Sequence, residues 1–407
     1  MRIEPFRMER MQSRYENYVE FNLSESGVHP MRALDLLEAS EDPARFLSVE
    51  LGYAQSNGTE ELRDRIALFY PGAGRNNILV TNGGSEANYA TFWSLLEKGD
   101  RVAYMIPNYM QTWGLSRAYA GRADPFRLVE RREPGGSRWG LDLDTLRAAV
   151  SRRTKVVLVT NPNNPTGAVL NAEEMEEVVR AAGRVGAFVV ADEIYRGAEV
   201  SGRTSPSFWG RYERVLITSG LSKAFGLPGL RIGWVVGPPR IVERIWSYRD
   251  YTTIAPGMLS DYLARIALEP SRRERILART RSIIRTNLPV IEGWIRTHDG
   301  IFAFTPPEAG AIAFMRHRLP IGSIALAERL RRERSVLIVP GDQFGLPRHL
   351  RIGFGSETNY LKSGLERIDL TIRELTSGGR RAGRETLSRA LPRRGAVAPR
   401  GAPPPGR

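Results

Sequence analysis

Between residues 78 and 240, short β-branched apolar runs alternate with longer amphipathic stretches. The runs ILVTNG (78–83), RVAYMIP (101–107), DPFRLV (124–129), KVVLVTNP (155–162), AFVVADEI (187–194), RVLITSG (214–220) and RIGWVVG (231–237) read as strands. Helical stretches lie between several of them. EANYATFWSLLEK (86–98) sets Tyr89, Trp93 and Leu96 on one face, and NAEEMEEVVRAAGRVG opens with Asn171 and Glu174 in capping-box spacing. Nearly continuous apolar strands alternating with helices predict an α/β fold with a mostly parallel, seven-stranded sheet covered on both faces. From about residue 240 to 297 the pattern turns helical and charged. Beyond 300, β-like pieces mix with helices around 323–334 and 358–375, which predicts a smaller α+β domain. The expected division is an N-terminal arm with part of the small domain (1–45), a large domain (46–285), a small domain (286–376) and a tail (377–407).

Composition narrows the picture. A chain of 407 residues can bury a large core. No apolar run approaches the roughly 18 residues of a membrane helix, and MRIEPFRMERMQSRYEN holds no signal core, so a cytoplasmic protein without membrane contact is expected. The absence of cysteine excludes disulfides, thiolate metal sites and a cysteine nucleophile. His29, His298, His317 and His349 are the only histidines and none is at metal-ligand spacing, so no metal is expected. Half of the net charge of +14 lies in the segment 377–407, whose eight arginines stand among Pro, Gly and Ala, and it is expected to be disordered and solvated.

Polar residues gather where the expected strands end, which is where open parallel sheets place their chemistry. KVVLV leads into TNPNNPTG (160–167), a good turn by composition alone. AFVV leads into ADEIY, with Asp192, Glu193 and Tyr195, and RVLIT leads into SGLSK, with Arg231 eight residues after Lys223. GGSEAN follows ILVTN, and Ser85 is expected to cap a helix whose free amides can cradle an anion. The chain has four lysines against 55 arginines. A lysine amine can lose its proton and attack a carbonyl, which arginine cannot do, and this gives Lys223 a reason to be lysine. Lysine, acid, asparagine, tyrosine, arginine and a glycine-rich helix start together make a kit for pyridoxal phosphate.

Over roughly residues 20 to 375 the chain resembles the class I/II aminotransferases of the fold-type I pyridoxal-phosphate enzymes. The resemblance rests on GYAQSNGTEELR, NPNNPTG, ADEIY, SGLSKAFGLPGLRIGW and LRIGFG, in that order. It implies that Lys223 forms the Schiff base with the cofactor and shuttles the substrate proton, and that Asp192 pairs with the pyridine nitrogen. Tyr195 and Asn164 would hold the ring oxygen, and Tyr109 would stack on the ring. Arg231, Ser222 and the amides of Gly84, Ser85 and Glu86 would hold the phosphate. Arg351, with Asn164, would bind the substrate α-carboxylate, and Gly27 would add a backbone contact. Tyr53 matches a tyrosine that reaches the phosphate of a neighbouring subunit, so a homodimer with shared sites is implied. Gly220 departs from the pattern, because many members carry serine there; either the phosphate site has one hydroxyl fewer or Ser219 substitutes.

Amino-group transfer from an L-amino acid to a 2-oxo acid is the first expectation. Elimination, replacement or cyclisation is the alternative, because EPFRMERMQSRYEN…NLSESGVHP, PNYMQ and GLSKAFGLPGLRIGW resemble a subgroup that includes capreomycidine-synthase-like cyclases. Arg249 is the nearest candidate for binding a substrate's distal carboxylate, with a charged surface helix as its expected place. A cofactor-sensing transcription regulator is disfavoured: GYAQSNGTEELR begins at 52, which leaves no room ahead of it for a DNA-binding domain, and no specific nucleic-acid contact is expected.

Overall fold

A computed structural model describes residues 3–37, 43–134 and 136–389, with side chains through residue 377. Its strands in chain order are β1 (Phe21–Asn22), β2 (Ile78–Thr81), β3 (Arg101–Ile106), β4 (Arg122–Glu133), β5 (Gly136–Leu141), β6 (Thr154–Thr160), β7 (Phe188–Asp192), β8 (Val215–Gly220), β9 (Gly233–Val236), β10 (Phe302–Phe304), β11 (Ile312–His317), β12 (Val336–Leu337), β13 (Val339–Pro340) and β14 (His349–Gly353).

The large sheet runs β2-β9-β8-β7-β6-β3-β4-β5. Strands β8, β7, β6, β3 and β4 are parallel, β9 is antiparallel to both neighbours, and β5 folds back along β4. Every residue of β2, β8 and β9 is buried, as strands covered on both faces require. The seven expected strands are all present. The eighth, β5, escapes the periodicity because its first half is polar and only Trp139, Gly140 and Leu141 are buried.

The smaller unit is a four-stranded antiparallel sheet, β10-β11-β14-β13. Strand β1 pairs in parallel with β12, which fastens the N-terminal segment to the C-terminal part of the chain. The expected boundary at 285/286 falls inside one continuous helix, Pro270–Thr297. The last helix, Thr358–Arg389, runs past Ser377, where the tail was expected to begin; residues 390–407 lie outside the described residues. Among the described residues no helix is long and apolar enough to cross a membrane.

Candidate active site

Register places the chemistry. Thr160 at the end of β6 sits opposite Asp192 at the end of β7, and Asp192 sits opposite Thr218 of β8. These carboxyl ends floor a cavity of about 320 Å³. The start of the helix Gly84–Leu95, Arg351 of β14 and the N-terminal helix Arg7–Tyr15 complete its walls. Of the residues predicted from sequence, Lys223, Asp192, Tyr195, Asn164, Tyr109 and Arg351 line it. So do Gly84, Ser85, Ser222 and Arg231.

Asp192 is buried, which pushes its carboxyl up. It accepts hydrogen bonds from Asn88 Nδ2 at 3.1 Å and the Ile194 amide at 3.1 Å, while the Thr218 hydroxyl donates to Asn88 Oδ1 at 2.7 Å. A buried carboxylate with two neutral donors and no cation bonded to it among the described residues suits a cationic partner from outside the chain. The Tyr195 hydroxyl donates to Ser26 Oγ at 2.8 Å, and burial raises its pKa against the lowering charges of Lys223 and Arg351.

Lys223 Nζ lies 2.6 Å from Glu25 Oε1. Burial pushes the Glu25 carboxyl up, but the Lys223 charge and the amides of Gly27 and Ser26 outweigh it and hold it at about 2. Burial pulls Lys223 down, but the interactions with Glu25, chiefly its charge, and with Tyr195 leave its pKa raised, so the ammonium is favoured while the pair is intact. Condensation with an aldehyde requires the neutral amine, so this pair must open before Lys223 can react.

The elements expected to hold a phosphate are packed to leave no spare room. Gly83, not Ser85, caps the helix Gly84–Leu95, without a side-chain bond; it has φ +90°, and a Cβ there would lie 2.4 Å from Arg231 Nη2. A Cβ on Gly233 would lie 2.3 Å from the Gly83 carbonyl carbon. The same packing accounts for Gly220, whose Cβ would lie 2.7 Å from the Ile232 carbonyl oxygen. A serine cannot stand there without moving β9. Ser219 donates instead to the Glu193 carbonyl at 3.2 Å and does not line the cavity, which leaves Ser85 and Ser222 as its hydroxyls at this end.

Arg351 is 1% exposed; its Nη1 donates to Asn164 Oδ1 at 2.9 Å and its Nη2 to the Ser24 carbonyl at 2.5 Å. Its Nε has no partner among the described residues, which leaves a guanidinium edge for a carboxylate.

Four other residues stand differently from the simplest expectation. Gly27 does not line the cavity, although it packs against Ser222 and Lys223, and its amide is taken by Glu25 at 2.9 Å. Tyr53 is 88% exposed and outside the cavity of its own chain. The Glu86 carboxylate does not line the cavity; it accepts from the Asn82 amide and from the hydroxyls of Thr252 and Thr253, each at 2.6 Å. Arg249 corrects the surface-helix expectation. It is fully buried, ion-paired with Glu86 at 3.3 Å and bonded to the carbonyls of Ser56 and Ile254. It braces the start of the helix Gly84–Leu95 and has no free edge for a substrate.

The sequence reading missed one wall. Met8, Glu9, Gln12 and Glu16 line the cavity at helical spacing along and just beyond Arg7–Tyr15, and Glu25 joins them from the following loop. The Tyr109 hydroxyl donates to Glu9 Oε1 at 2.9 Å, and Phe6 meets the Tyr109 ring edge-on at 4.9 Å. The acids at 9 and 16 lie seven residues apart, a helical signal visible in the sequence, but only the tertiary fold shows which face turns inward.

The donor set fits pyridoxal phosphate: an amine for its aldehyde, a buried acid for its ring nitrogen, and a helix start with Ser85, Ser222 and Arg231 for its phosphate. Residues 34–368 match the family model described as aminotransferase class I and II. Capreomycidine synthase of Streptomyces vinaceus is 32% identical over 371 residues, 88% of this chain and 92% of that protein. An aspartate aminotransferase of Streptomyces avermitilis is 29% identical, over 74% of this chain and 75% of its own length. Among solved structures, a pyridoxal-phosphate-dependent aminotransferase from Streptococcus suis superposes with a TM-score of 0.83 at 29% identity, covering 92% of this chain and 99% of its own. The pyridoxal-phosphate-dependent cyclase OrfR superposes at 0.81 with 29% identity, covering 92% and 98%. The chain therefore belongs to the class I and II aminotransferase family, a fold-type I enzyme lineage that works with pyridoxal phosphate.

Proposed function

We propose that this enzyme removes the Cα proton of an L-amino acid and then expels a substituent from the β-carbon, with ring closure or replacement following. The observation that carries this reading is the carboxylate of Glu25 at 2.6 Å from Lys223 Nζ, with Glu16 on the same wall. Amino-group transfer needs one base that moves a proton between two carbons, and Lys223 suffices for it. Expulsion of a poor leaving group such as hydroxide needs a second acid while Lys223 holds the Cα proton. Glu16, whose carboxyl is pushed up by burial and by the charges of Glu25 and Glu9, is suited to donate that proton. The near-full-length likeness to capreomycidine synthase and the likeness to OrfR support the same reading.

The cofactor supplies the electron sink at Cα. Lys223 would take and return the proton, Arg351 with Asn164 would seat the α-carboxylate, and Asp192 would hold the ring nitrogen protonated. Tyr195 and Asn164 would hold the ring oxygen, with Tyr109 against the ring face. The proposal includes a homodimer: Tyr53, with Leu47 and Leu51 each 80% exposed and Tyr251 82% exposed, offers apolar surface for a second copy whose phosphate Tyr53 would reach. Light scattering on the purified chain tests the pairing.

A single-turnover reaction with β-substituted amino acids tests the chemistry, with cofactor absorbance and product mass followed together. A product lacking the β-substituent, with the cofactor returned to its starting form, is the expected outcome. One equivalent of 2-oxo acid with the amino group left on the cofactor would overturn elimination and establish amino-group transfer.

A further inference from the structure

The helix Gly84–Leu95 buries Ala87, Ala90, Phe92 and Leu95, yet among them stands an amide, Asn88, only 2% exposed. Burying an amide costs free energy unless its polar atoms find partners. Here they do. The Thr218 hydroxyl donates to Asn88 Oδ1 at 2.7 Å, and Asn88 Nδ2 donates to Asp192 Oδ2 at 3.1 Å and to Gln111 Oε1 at 3.3 Å. Asn88 thus joins its own helix to β7, to β8 and to the start of the helix Gln111–Tyr119.

An amide can be turned end for end, and its neighbours decide which way it faces. The Ser85 carbonyl can only accept, and it accepts from Gln111 Nε2 at 2.9 Å, so Gln111 turns its Oε1 toward Asn88. Asn88 then meets two oxygens, Gln111 Oε1 and Asp192 Oδ2, and a reversed amide would set its own oxygen against both. Its Nδ2 therefore faces them, its Oδ1 is left to Thr218, and the Thr218 hydroxyl must donate. Through its other oxygen, Asp192 accepts from the Ile194 amide at 3.1 Å. Each oxygen of Asp192 thus meets an N–H, and neither contact can receive a proton from it. Burial pushes this carboxyl up, and Asn88 and the Ile194 amide act against that rise.

We propose that Asn88, oriented by Thr218 and Gln111, is the positioning residue that keeps Asp192 an ionised acceptor for the cofactor's ring nitrogen. This rests on the pairing of Asp192 with that nitrogen proposed above, and not on the reaction that follows at Cα. Without the Asn88 donor, Asp192 keeps a single N–H and becomes more basic, so the proton between acid and ring shifts toward the acid. The ring then draws less electron density from Cα. A leucine at position 88 fills a similar volume with no donor, which separates the hydrogen bond from the packing.

The test loads the full chain with cofactor isotopically labelled at the ring nitrogen and reads that nitrogen's resonance by NMR near neutral pH. Cofactor affinity is measured alongside by absorbance titration. Asn88→Leu is expected to move the resonance toward its unprotonated position and to weaken cofactor binding by about 10- to 100-fold. Thr218→Val should move it the same way by less, because the amide loses the donor that fixes its orientation. Thr218→Ser keeps the hydroxyl and should leave the resonance where it stands in the unaltered enzyme. Asp192→Asn is the control for the pairing. A resonance that moves in Asp192→Asn but in neither Asn88→Leu nor Thr218→Val would overturn the role of Asn88 and leave the pairing standing. A resonance unmoved in Asp192→Asn would overturn the pairing, and this inference with it. Should Asn88→Leu fail to fold, the two Thr218 variants decide: a shift in Val alone supports the role, and equal resonances overturn it.

Discussion

Two halves meet at this active site, and they are built on different principles. The sheet half sets Asp192, Tyr195, Asn164 and Lys223 at or just after strand ends and Arg231 just before β9, where register and burial leave each side chain little choice. The N-terminal half reaches the cavity by a nine-residue helix and a loop, tied to each other by Gln12 and anchored by the two-residue pairing of β1 with β12. The first half holds what every reaction at Cα needs. The second holds acids that such a reaction alone does not call for. On the proposed function, the chemistry at Cα is fixed to the most rigid element, and the additional acids ride on a segment able to change without disturbing the sheet.

The sharpest way to break this comparison is to remove the central group of the sheet half. Lys223→Ala is expected to lower turnover by at least about 10⁴-fold and to abolish covalent attachment of the cofactor, read by the loss of its shifted visible absorbance. Retained multiple turnovers would defeat the assignment. Glu25→Gln is the matching change in the N-terminal half. It should lower turnover by about 10²-fold while leaving cofactor attachment intact, because the cofactor's expected contacts come from the sheet half. Loss of cofactor in this variant would show that the two halves are not separable.

How much of this was legible beforehand follows the same division. Strands β6, β7 and β8 announce themselves by apolar runs, and Lys223 stands out as one of four lysines. Asn164, Asp192 and Arg231 fall in compact motifs whose spacing survives folding unchanged. Glu9, Glu16 and Glu25 carry no such mark, since an acid on an amphipathic helix is solvated more often than not. Only the docking of that helix, across hundreds of residues of sequence, turns its acidic stripe inward. Arg249 misled for the same reason. Its helix, Pro239–Arg249, reads as charged, yet this last residue is folded beneath the loop at 252–254 and joined to Glu86. Asn88 was missed because it only appears beside Asp192 once helix and sheet have packed.

A third test concerns the stability of the sheet half. Glu193, next to Asp192, is 1% exposed; burial pushes its carboxyl up to about 7, against the lowering effect of Arg196 and the bonds from Phe208 and Ser207. Its pKa is higher in the folded than in the unfolded chain. The folded state therefore binds the extra proton, and stability falls as pH rises from about 4.5 to about 7. The span corresponds to about 3 kcal/mol at most. Glu193→Gln should flatten this part of the denaturation profile, because the amide oxygen can still accept from Ser207 and Phe208 without acquiring charge. An unchanged slope in chemical denaturation between these pH values would place the titration elsewhere.

The smallest change bears on how tightly the sheet half is packed. Gly220→Ser restores the residue that many family members carry, and a reading from motif alone expects it to add a phosphate contact. The geometry predicts the opposite. The new Cβ would lie 2.7 Å from the Ile232 carbonyl oxygen and 2.9 Å from Gly233 Cα, both backbone atoms of the segment leading into β9. Gly233 is itself pressed against Gly83, so that segment cannot yield without shifting the phosphate-facing loop. A loss of about 1–3 kcal/mol is therefore expected, read as a lower denaturation midpoint, together with weaker cofactor binding. An unchanged midpoint with tighter binding would mean that the strand has room to move. The sheet half would then be adjustable too, and its contrast with the N-terminal half would be one of sequence signal rather than rigidity.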